Sequence, residues 1–351
     1  MRTILIVAAV VFQVVVLGWM AADREWVVRT GRGVWLRTAP VDPNDPFRGD
    51  YVRLNYPFNQ LSRELFRDGV AAWPKDTDWH HRRQFNDRRV YVTLTPDAGG
   101  LMRATAVSDR RPRATDALWL RGRVEAFQGD TMEVRYGLEA FFVEAGKGRE
   151  LERAAGVRGG GGDGIQTPLL VEAAVRAGDG SAVIKRVKPA PLGIGLTQVF
   201  DPKDRRLTGV TLRLKNSSDR PLAVAELPAL GAWTLAEANN RFWARSQADN
   251  HWRWIGRPAG PPAPPVAAKD IRVLKPGEIA EYHIDLRDPA WNMVNGKGER
   301  KPITELNNDW GHAVRFVYHA PAPAALRGLP NAALVWQGEL PTRAFWARGV
   351  D

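Results

Sequence analysis

The feature that most constrains this chain is an apolar segment at its N-terminus. From Ile4 to Met20 the only polar side chain is Gln13. With its small flanking residues the segment approaches the roughly 20 residues that a helix needs to cross a bilayer. No polar face recurs at helical spacing, and charged residues from Asp23 onward end the segment abruptly, which argues against a helix buried in a soluble core. We therefore predict a membrane-spanning helix over residues 1–22.

Two further features bear on how this helix is processed and oriented. A cleaved signal sequence needs small residues before the cleavage point, whereas Trp19 and Met20 stand there, so the sequence favours an uncleaved signal-anchor. Arg2 and the short N-terminal tail favour a cytoplasmic start, although arginines also follow the segment. Long domains translocate largely regardless of charge. We expect a single-pass protein of the inner (cytoplasmic) membrane with its body on the extracytoplasmic side.

Bulk composition excludes several classes of protein. A chain of 351 residues with 44% apolar content is long enough for the anchor and about two domains. Its net charge of +11 is spread over both halves without a basic block, so we expect no nucleic-acid partner. Without cysteine the chain forms no disulfide and no thiolate site. The sequence contains no motif that indicates a cofactor or a metal.

The body after the anchor alternates apolar and polar residues over short runs, a pattern typical of half-buried strands. Helical candidates are confined to Leu61–Phe66 and Thr234–Arg245. The sequence therefore predicts a mainly β protein in which an N-terminal transmembrane helix precedes two antiparallel β domains. The predicted strands contain Val52–Tyr56, Val90–Leu94, Leu118–Val124, Met132–Tyr136, Val171–Val175, Val210–Leu214, Ala280–Leu286 and Val314–Tyr318.

A break in this pattern divides the body. Lys188–Gly193 contains two prolines and a glycine, which interrupt the hydrogen bonding of a sheet. We therefore assign the first β domain to residues 23–190 and the second to residues 191–351. Strand number, the turn at Leu274–Glu278 and the lack of helical spacing favour an immunoglobulin-like sandwich for the second domain.

One stretch of the first domain recurs within it. Residues 49–56 (GDYVRLNY) align without a gap to residues 129–136 (GDTMEVRY). One interpretation is that Gly-Asp is common turn chemistry before two unrelated amphipathic strands. The other is that the two stretches pack as a pseudo-symmetric pair of β units.

The stretch from Leu36 to Pro43, continued from Phe47 to Tyr56, resembles the signature of the GDYXXLXY family. The similarity extends to the N-terminal membrane segment and to residues 136–139 (YGLE) and 141–152 (FFVEAGKGRELE), and it covers roughly residues 1–188. The resemblance implies a bacterial membrane-anchored protein that is often encoded beside polytopic membrane proteins. It carries no catalytic residue over to this chain, and residues 191–351 lie outside it.

Within this signature the candidate interaction residues are Gly49, Asp50, Tyr51, Leu54 and Tyr56. Gly49 and Asp50 suit a tight turn, while Tyr51 and Tyr56 fall on opposite faces of the strand that follows. We expect Tyr56 in the core and Tyr51 at the surface. A structural corner and a binding site both fit the motif.

Tryptophans of the second domain provide a different candidate site. Trp243, Trp252 and Trp254 lie in one loop-like region, and the last two are spaced to share a strand face. If these rings are exposed, they form a stacking platform for a glycan; if they are buried, they belong to the core.

Catalytic patterns are weak. A Gly-Asp turn after a membrane segment is similar to that of signal-peptidase-type serine/lysine hydrolases, but the nucleophilic serine is missing and only Thr38 with Lys147 would remain as a pair. His283, Asp285 and His319 leave a triad open, without the elbow that presents a nucleophile.

We therefore expect a non-enzymatic interaction or accessory module that associates with the bilayer and with a polytopic membrane partner. The alternatives are an envelope glycan-binding protein and, third, a serine/lysine-type hydrolase.

Overall fold

The computed structural model describes residues 2–38, 51–75, 83–112, 117–142, 164–203, 206–227, 231–237, 252–256, 265–306 and 313–346. The protein is mainly β, with one long apolar helix at the N-terminus and several antiparallel sheets, which confirms the predicted fold class. The chain forms two units. One holds Met1–Leu151 and Leu169–Lys188, and the other holds Glu152–Pro168 and Pro189–Asp351.

Helix α1 spans Arg2–Thr30 and is therefore longer than the predicted anchor. By length and composition it can cross a membrane once, and its apolar part is not buried within the protein. The helix continues past Ala22 because the next residues include no proline or glycine, and Arg29 pairs with Glu25 one turn earlier (Nε–Oε1 2.7 Å). It ends at Gly31, whose N–H donates to Val27 O at 2.8 Å.

The remaining helices in the described ranges are short. They are α2 (Asp68–Ala71) and 3₁₀ turns at Pro57–Asn59, Arg63–Leu65, Ala268–Asp270, Pro289–Trp291, Ile303–Glu305, Pro323–Leu326 and Ala332–Leu334.

The strands follow the predicted alternation. In chain order they are β1 (Arg32–Arg37), β2 (Tyr51–Arg53), β3 (Gln60–Ser62), β4 (Arg89–Pro96), β5 (Leu101–Ser108), β6 (Leu118–Phe127), β7 (Thr131–Arg135), β8 (Ala140–Phe142), β9 (Ile165–Gln166), β10 (Leu169–Val175), β11 (Ala182–Pro189), β12 (Leu192–Phe200), β13 (Leu207–Asn216), β14 (Leu222–Ala225), β15 (Trp233–Glu237), β16 (Ile271–Leu274), β17 (Ile279–Asp285), β18 (Asn292–Val294), β19 (Arg300–Pro302), β20 (Ala313–His319), β21 (Glu339–Pro341) and β22 (Phe345–Trp346).

The first unit is built on an eight-stranded sheet with the order β11-β10-β1-β5-β4-β6-β7-β3. Strand β1 pairs antiparallel with β10 and parallel with β5, and the strands from β5 through β4, β6 and β7 to β3 pair antiparallel. Alternate residues of β4, namely Val90, Val92 and Leu94, are buried, which explains why this run forms a strand with one face in the core. The ribbon β2–β8 stands beside this sheet as a separate pair.

The second unit contains a four-stranded sheet, β17-β13-β12-β9, and a sheet in which β20 pairs with β15, β21 and β22. One buried cluster draws on both sheets, for example through Leu212 of β13 and Phe316 of β20. Two sheets sharing a core are consistent with a sandwich. The immunoglobulin-like detail stays a prediction.

Two expectations differ from the structure. The helix expected at Thr234–Arg245 is wrong for residues 234–237, because these belong to strand β15, whose alternate residues Trp233 and Leu235 point into the core. Residues 238–250 lie outside the described part. Residues 164–168, assigned above to the first domain, lie in the second unit, in which β9 pairs with β12. Pro168 has no N–H to donate, and the chain enters β10 directly after it.

Candidate functional site: the paired tyrosine motif

The family-like signature leads into strand β2 and on to two buried residues of the first unit. Gly49 and Asp50 lie outside the described residues, and the backbone of Tyr51 belongs to β2. Leu54 and Tyr56 are buried, with 2% and 1% of their surface exposed, so Tyr56 is in the core as expected. The motif therefore contributes its second tyrosine to the interior of the domain.

Each sequence repeat pairs with the segment that follows the other repeat. In β2–β8, Arg53 lies opposite Ala140, and in β3–β7, Gln60 lies opposite Glu133. Both pairs keep the same antiparallel register, and Leu54 N donates to Glu139 O (2.8 Å) between them. Segments 51–62 and 131–142 therefore form one interrupted ladder, related by an approximate two-fold axis. This register supports the pseudo-symmetric interpretation of the repeat over the chance one.

The tyrosines at equivalent positions of the repeats exchange hydrogen bonds. The hydroxyl of Tyr56 donates to Leu138 O (2.8 Å), and the hydroxyl of Tyr136 donates to Phe58 O (2.7 Å). Each acceptor is the carbonyl two residues after the opposite tyrosine. The crossed pair closes the ladder where regular strand pairing is interrupted, at the 3₁₀ turn Pro57–Asn59.

A second interaction, equivalent in the two repeats, fixes the backbone of each tyrosine. Tyr56 N donates to Asn59 Oδ1 (2.6 Å), and Tyr136 N donates to Glu139 Oε1 (2.6 Å), in both cases three residues ahead. Glu139 also accepts from Gly137 N (2.8 Å), while Asn59 Nδ2 donates to Val134 O (2.8 Å). Asn59 and Glu139 thus perform the same role in the two repeats with different chemical groups.

The electrostatic surroundings keep both hydroxyls protonated. Burial, reinforced by the negative charge of Glu139, raises the pKa of Tyr56 and of Tyr136 well above the ordinary value of 10.0. A protonated hydroxyl can donate to a carbonyl, whereas a phenolate cannot. Both hydroxyls therefore remain donors at alkaline pH values at which an exposed tyrosine ionises.

The rings and one glycine complete the packing. Tyr56 stacks on Phe58 (centroids 5.1 Å apart), and Phe58 meets Tyr136 edge to face (5.3 Å). A Cβ at Gly122 of β6 would lie 2.2 Å from Val134 Cγ1 and 3.2 Å from a ring carbon of Tyr136. Sequence reasoning missed Asn59, Glu139 and Gly122, although a polar side chain three residues after each tyrosine was a readable signal.

The tryptophan region of the second unit is packed. Trp252 is 7% exposed and belongs to the core cluster, while Trp254 is half-buried, stacks on Trp291 (5.8 Å) and donates from Nε1 to Ala290 O (3.0 Å). Trp243 lies outside the described residues. The burial of Trp252 and the engagement of Trp254 argue against a stacking platform made by this pair, because a sugar needs an open ring face.

The residues considered for catalysis are used in local structure. The hydroxyl of Thr38 donates to Leu169 O and accepts from Leu169 N, both at 3.0 Å, and Lys147 lies outside the described residues. Nδ1 of His283 lies 3.1 Å from the hydroxyl of Thr211, and Nε2 of His319 lies 2.6 Å from that of Thr234. Across the described part of the chain, no group of three or more His, Asp or Glu side chains is placed to hold a metal ion.

A cavity of about 180 Å³ lies in the second unit. Each of its charged groups has a partner: Arg272 pairs with Glu226 (3.2 Å) and with Glu278 outside the lining (3.6 Å), and Glu281 pairs with Arg213. The hydroxyl of Tyr282 donates to Glu226 Oε1 (3.4 Å). This arrangement stabilises the wall of the cavity.

A family model described as GDYXXLXY protein matches residues 13–187. The match contains the whole described tyrosine motif and most of α1, and it confirms the resemblance drawn from the signature. No curated protein and no solved structure matches the chain.

Proposed function

We propose that this chain, which belongs to the GDYXXLXY family through residues 13–187, is a membrane-anchored, extracytoplasmic accessory module for a polytopic membrane protein. Its β units serve protein association rather than catalysis. The partner and the side of the membrane are part of this proposal.

The attachment of α1 to the sheet is the observation that carries the proposal. Helix α1 contacts β10, Val27 near the helix end is 2% exposed, and Asp23 Oδ1 pairs with Arg176 Nη2 at 2.6 Å just beyond β10. A single residue, Gly31, separates the helix from β1. The first unit is therefore fixed to the end of the helix and is not connected to it by a flexible linker. Such an attachment suits a module that contacts a partner at the membrane surface.

The length of α1 supports the same geometry. Its 29 residues extend about 43 Å, whereas the hydrocarbon core of a bilayer is about 30 Å thick. The surplus corresponds to Asp23–Thr30, the part that carries charge and packs on the domain. We therefore place the sheet directly above the lipid head groups, with Arg2 on the opposite, cytoplasmic side.

The tyrosine motif supports a role in association because its polar groups are spent inside the fold. Both hydroxyls donate to backbone carbonyls, and Asn59 and Glu139 cap the tyrosine backbones. Such a corner fixes the shape of a surface and leaves no free nucleophile among these groups.

Two experiments test the proposal. A reporter that is active only outside the cytoplasm, fused to the C-terminus, should be active; an inactive but well-expressed fusion contradicts the orientation. Crosslinking in cells, followed by purification through a C-terminal tag, should recover a polytopic membrane protein. Recovery no higher than with an unrelated tagged single-pass protein contradicts the proposed association.

A further inference from the structure

We propose that α1 contacts the partner through the helix face that carries Gln13, and that the occupant of this face is a transmembrane helix that ends at the membrane surface. This inference rests on the proposed function and specifies the surface used. It follows from the depth of Gln13, from the direction of its helix face and from the position of the protein's own sheet.

Gln13 lies at the middle of the bilayer. The apolar part of α1 from Thr3 to Ala22 has the length of the hydrocarbon core, and Gln13 stands near its centre. Its side chain is exposed on the helix, and no hydrogen bond to it is found among the described residues. A primary amide in hydrocarbon is favourable only when its donors and acceptor are satisfied, and neighbouring transmembrane helices supply such partners.

The Gln13 face points to the side on which the sheet lies. Val27 follows Gln13 by 14 residues, which at about 100° per residue places the two side chains within about 40° of each other around the helix. Val27 is the residue buried against the sheet, and a Cβ at Gly31 would lie 3.1 Å from Ala174 of β10. The first unit therefore overhangs the Gln13 face. Along the helix axis, Val27 lies about 21 Å beyond Gln13.

This overhang decides between the occupants. A second copy of the chain would continue as a helix to Thr30 and would carry its own sheet on the same face. Helices in contact lie about 8–10 Å apart, so the upper part of that second helix would occupy the space that β10 takes beside Val27. A helix of another protein that ends near the level of Asp23 fits beneath the sheet. It should carry an amide, hydroxyl or carboxyl group at the same depth as Gln13.

The test is photo-crosslinking of the full-length chain in cells. A photoreactive residue replaces Leu17, which is about 40° from Gln13 on the helix, or Val15, which is at nearly the same depth on the far side. We expect an adduct with another membrane protein from position 17 and mainly lipid adducts from position 15. Gln13→Leu should lower the position-17 adduct about three- to tenfold, the effect of one interhelical hydrogen bond. The far-side change Val11→Leu should leave it unchanged.

The possible results separate the two proposals. Equal protein adducts from both positions overturn the assignment of the face, and an adduct with a second copy overturns the assignment of the occupant. If the partner is recovered with the wild-type chain but Gln13→Leu has no effect, the inference fails while the proposed function stands. If the wild-type chain recovers no membrane protein, the proposed function fails and this inference fails with it.

Discussion

Replacing Tyr136 by Phe tests whether the crossed hydrogen bonds stabilise the first unit. The change removes one hydroxyl, which now donates to Phe58 O at 2.7 Å, and leaves the ring and its edge-to-face packing in place. Because the carbonyl belongs to a residue that is only 4% exposed, the loss should cost about 1–3 kcal/mol of unfolding free energy. Pseudo-symmetry predicts a similar cost for Tyr56→Phe, which removes the donor to buried Leu138.

The assay is urea unfolding of the full-length protein in detergent micelles, followed by hydrogen exchange of peptides from segments 51–62 and 131–142. Peptides from β13 report on the second unit in the same sample. Tyr91→Phe is the matched control, since Tyr91 is half-buried and packs edge to face on Trp119 (5.3 Å); it should change stability by less than about 0.5 kcal/mol.

Two results would refute the reasoning. If Tyr136→Phe unfolds at the same urea concentration as the wild type, the crossed hydrogen bonds contribute no net stability. If β13 is destabilised as much as the motif peptides, the effect is not local to the corner. The double variant should be non-additive, because both hydroxyls brace the same interrupted ladder.

Four further predictions follow from the contacts described. The pKa of both motif tyrosines is raised in the folded state, so their contribution to stability is complete below about pH 10 and is lost as the pH rises further. In an alkaline titration, tyrosinate absorbance should therefore rise together with unfolding of the first unit. The double Phe variant should weaken this pH dependence of stability. Val27→Ala should cost about 1–3 kcal/mol and speed exchange of the amide that donates to Val27 O, whereas Trp26→Ala, at a side chain 66% exposed, should not. Gly122→Ala should lower the thermal stability of the first unit by about 1–3 kcal/mol through overpacking, with Gly33→Ala, whose added Cβ meets only ordinary contacts, as its control. Trp252→Ala should lower the unfolding free energy of the second unit by about 3–5 kcal/mol, measured by urea unfolding. Retention of the protein on cell-wall polysaccharide should not change. A selective loss of that retention would instead favour the glycan alternative.

The fold class could be predicted because each strand carries its own alternation. The run around Val90–Leu94 reads as a strand without knowledge of its neighbours, and its alternate residues are buried. The order of strands was not accessible in the same way. The parallel pairing of β1 with β5 and the pairing of β9 with β12 join segments far apart in sequence, and short-range patterns do not encode such partners.

The candidate site was predicted in part for a related reason. The repeat was visible because both copies keep Gly-Asp and a final tyrosine, and the core position of Tyr56 followed from alternation. The turn after each tyrosine was missed because Asn59 and Glu139 are different residue types, an amide and a carboxylate. Both nevertheless accept a hydrogen bond from a tyrosine N–H three residues earlier. Gly122 was missed because the need for a glycine arises from Val134 on another strand.

The anchor and the tyrosine motif are parts of one mechanical unit. Helix α1 leads into β1, and the motif strand β3 forms the outer edge of the same sheet, five strand positions away. At about 4.8 Å per strand this separates the helix attachment from the motif edge by about 24 Å across a hydrogen-bonded sheet. Because Val27 and the Asp23–Arg176 pair hold the helix against the sheet, the direction of α1 in the bilayer also sets the direction in which the motif edge points. A partner bound to the Gln13 face would therefore find the motif edge at a fixed position. Loosening the attachment of the helix to the sheet should weaken association with that partner even when both contact surfaces are intact.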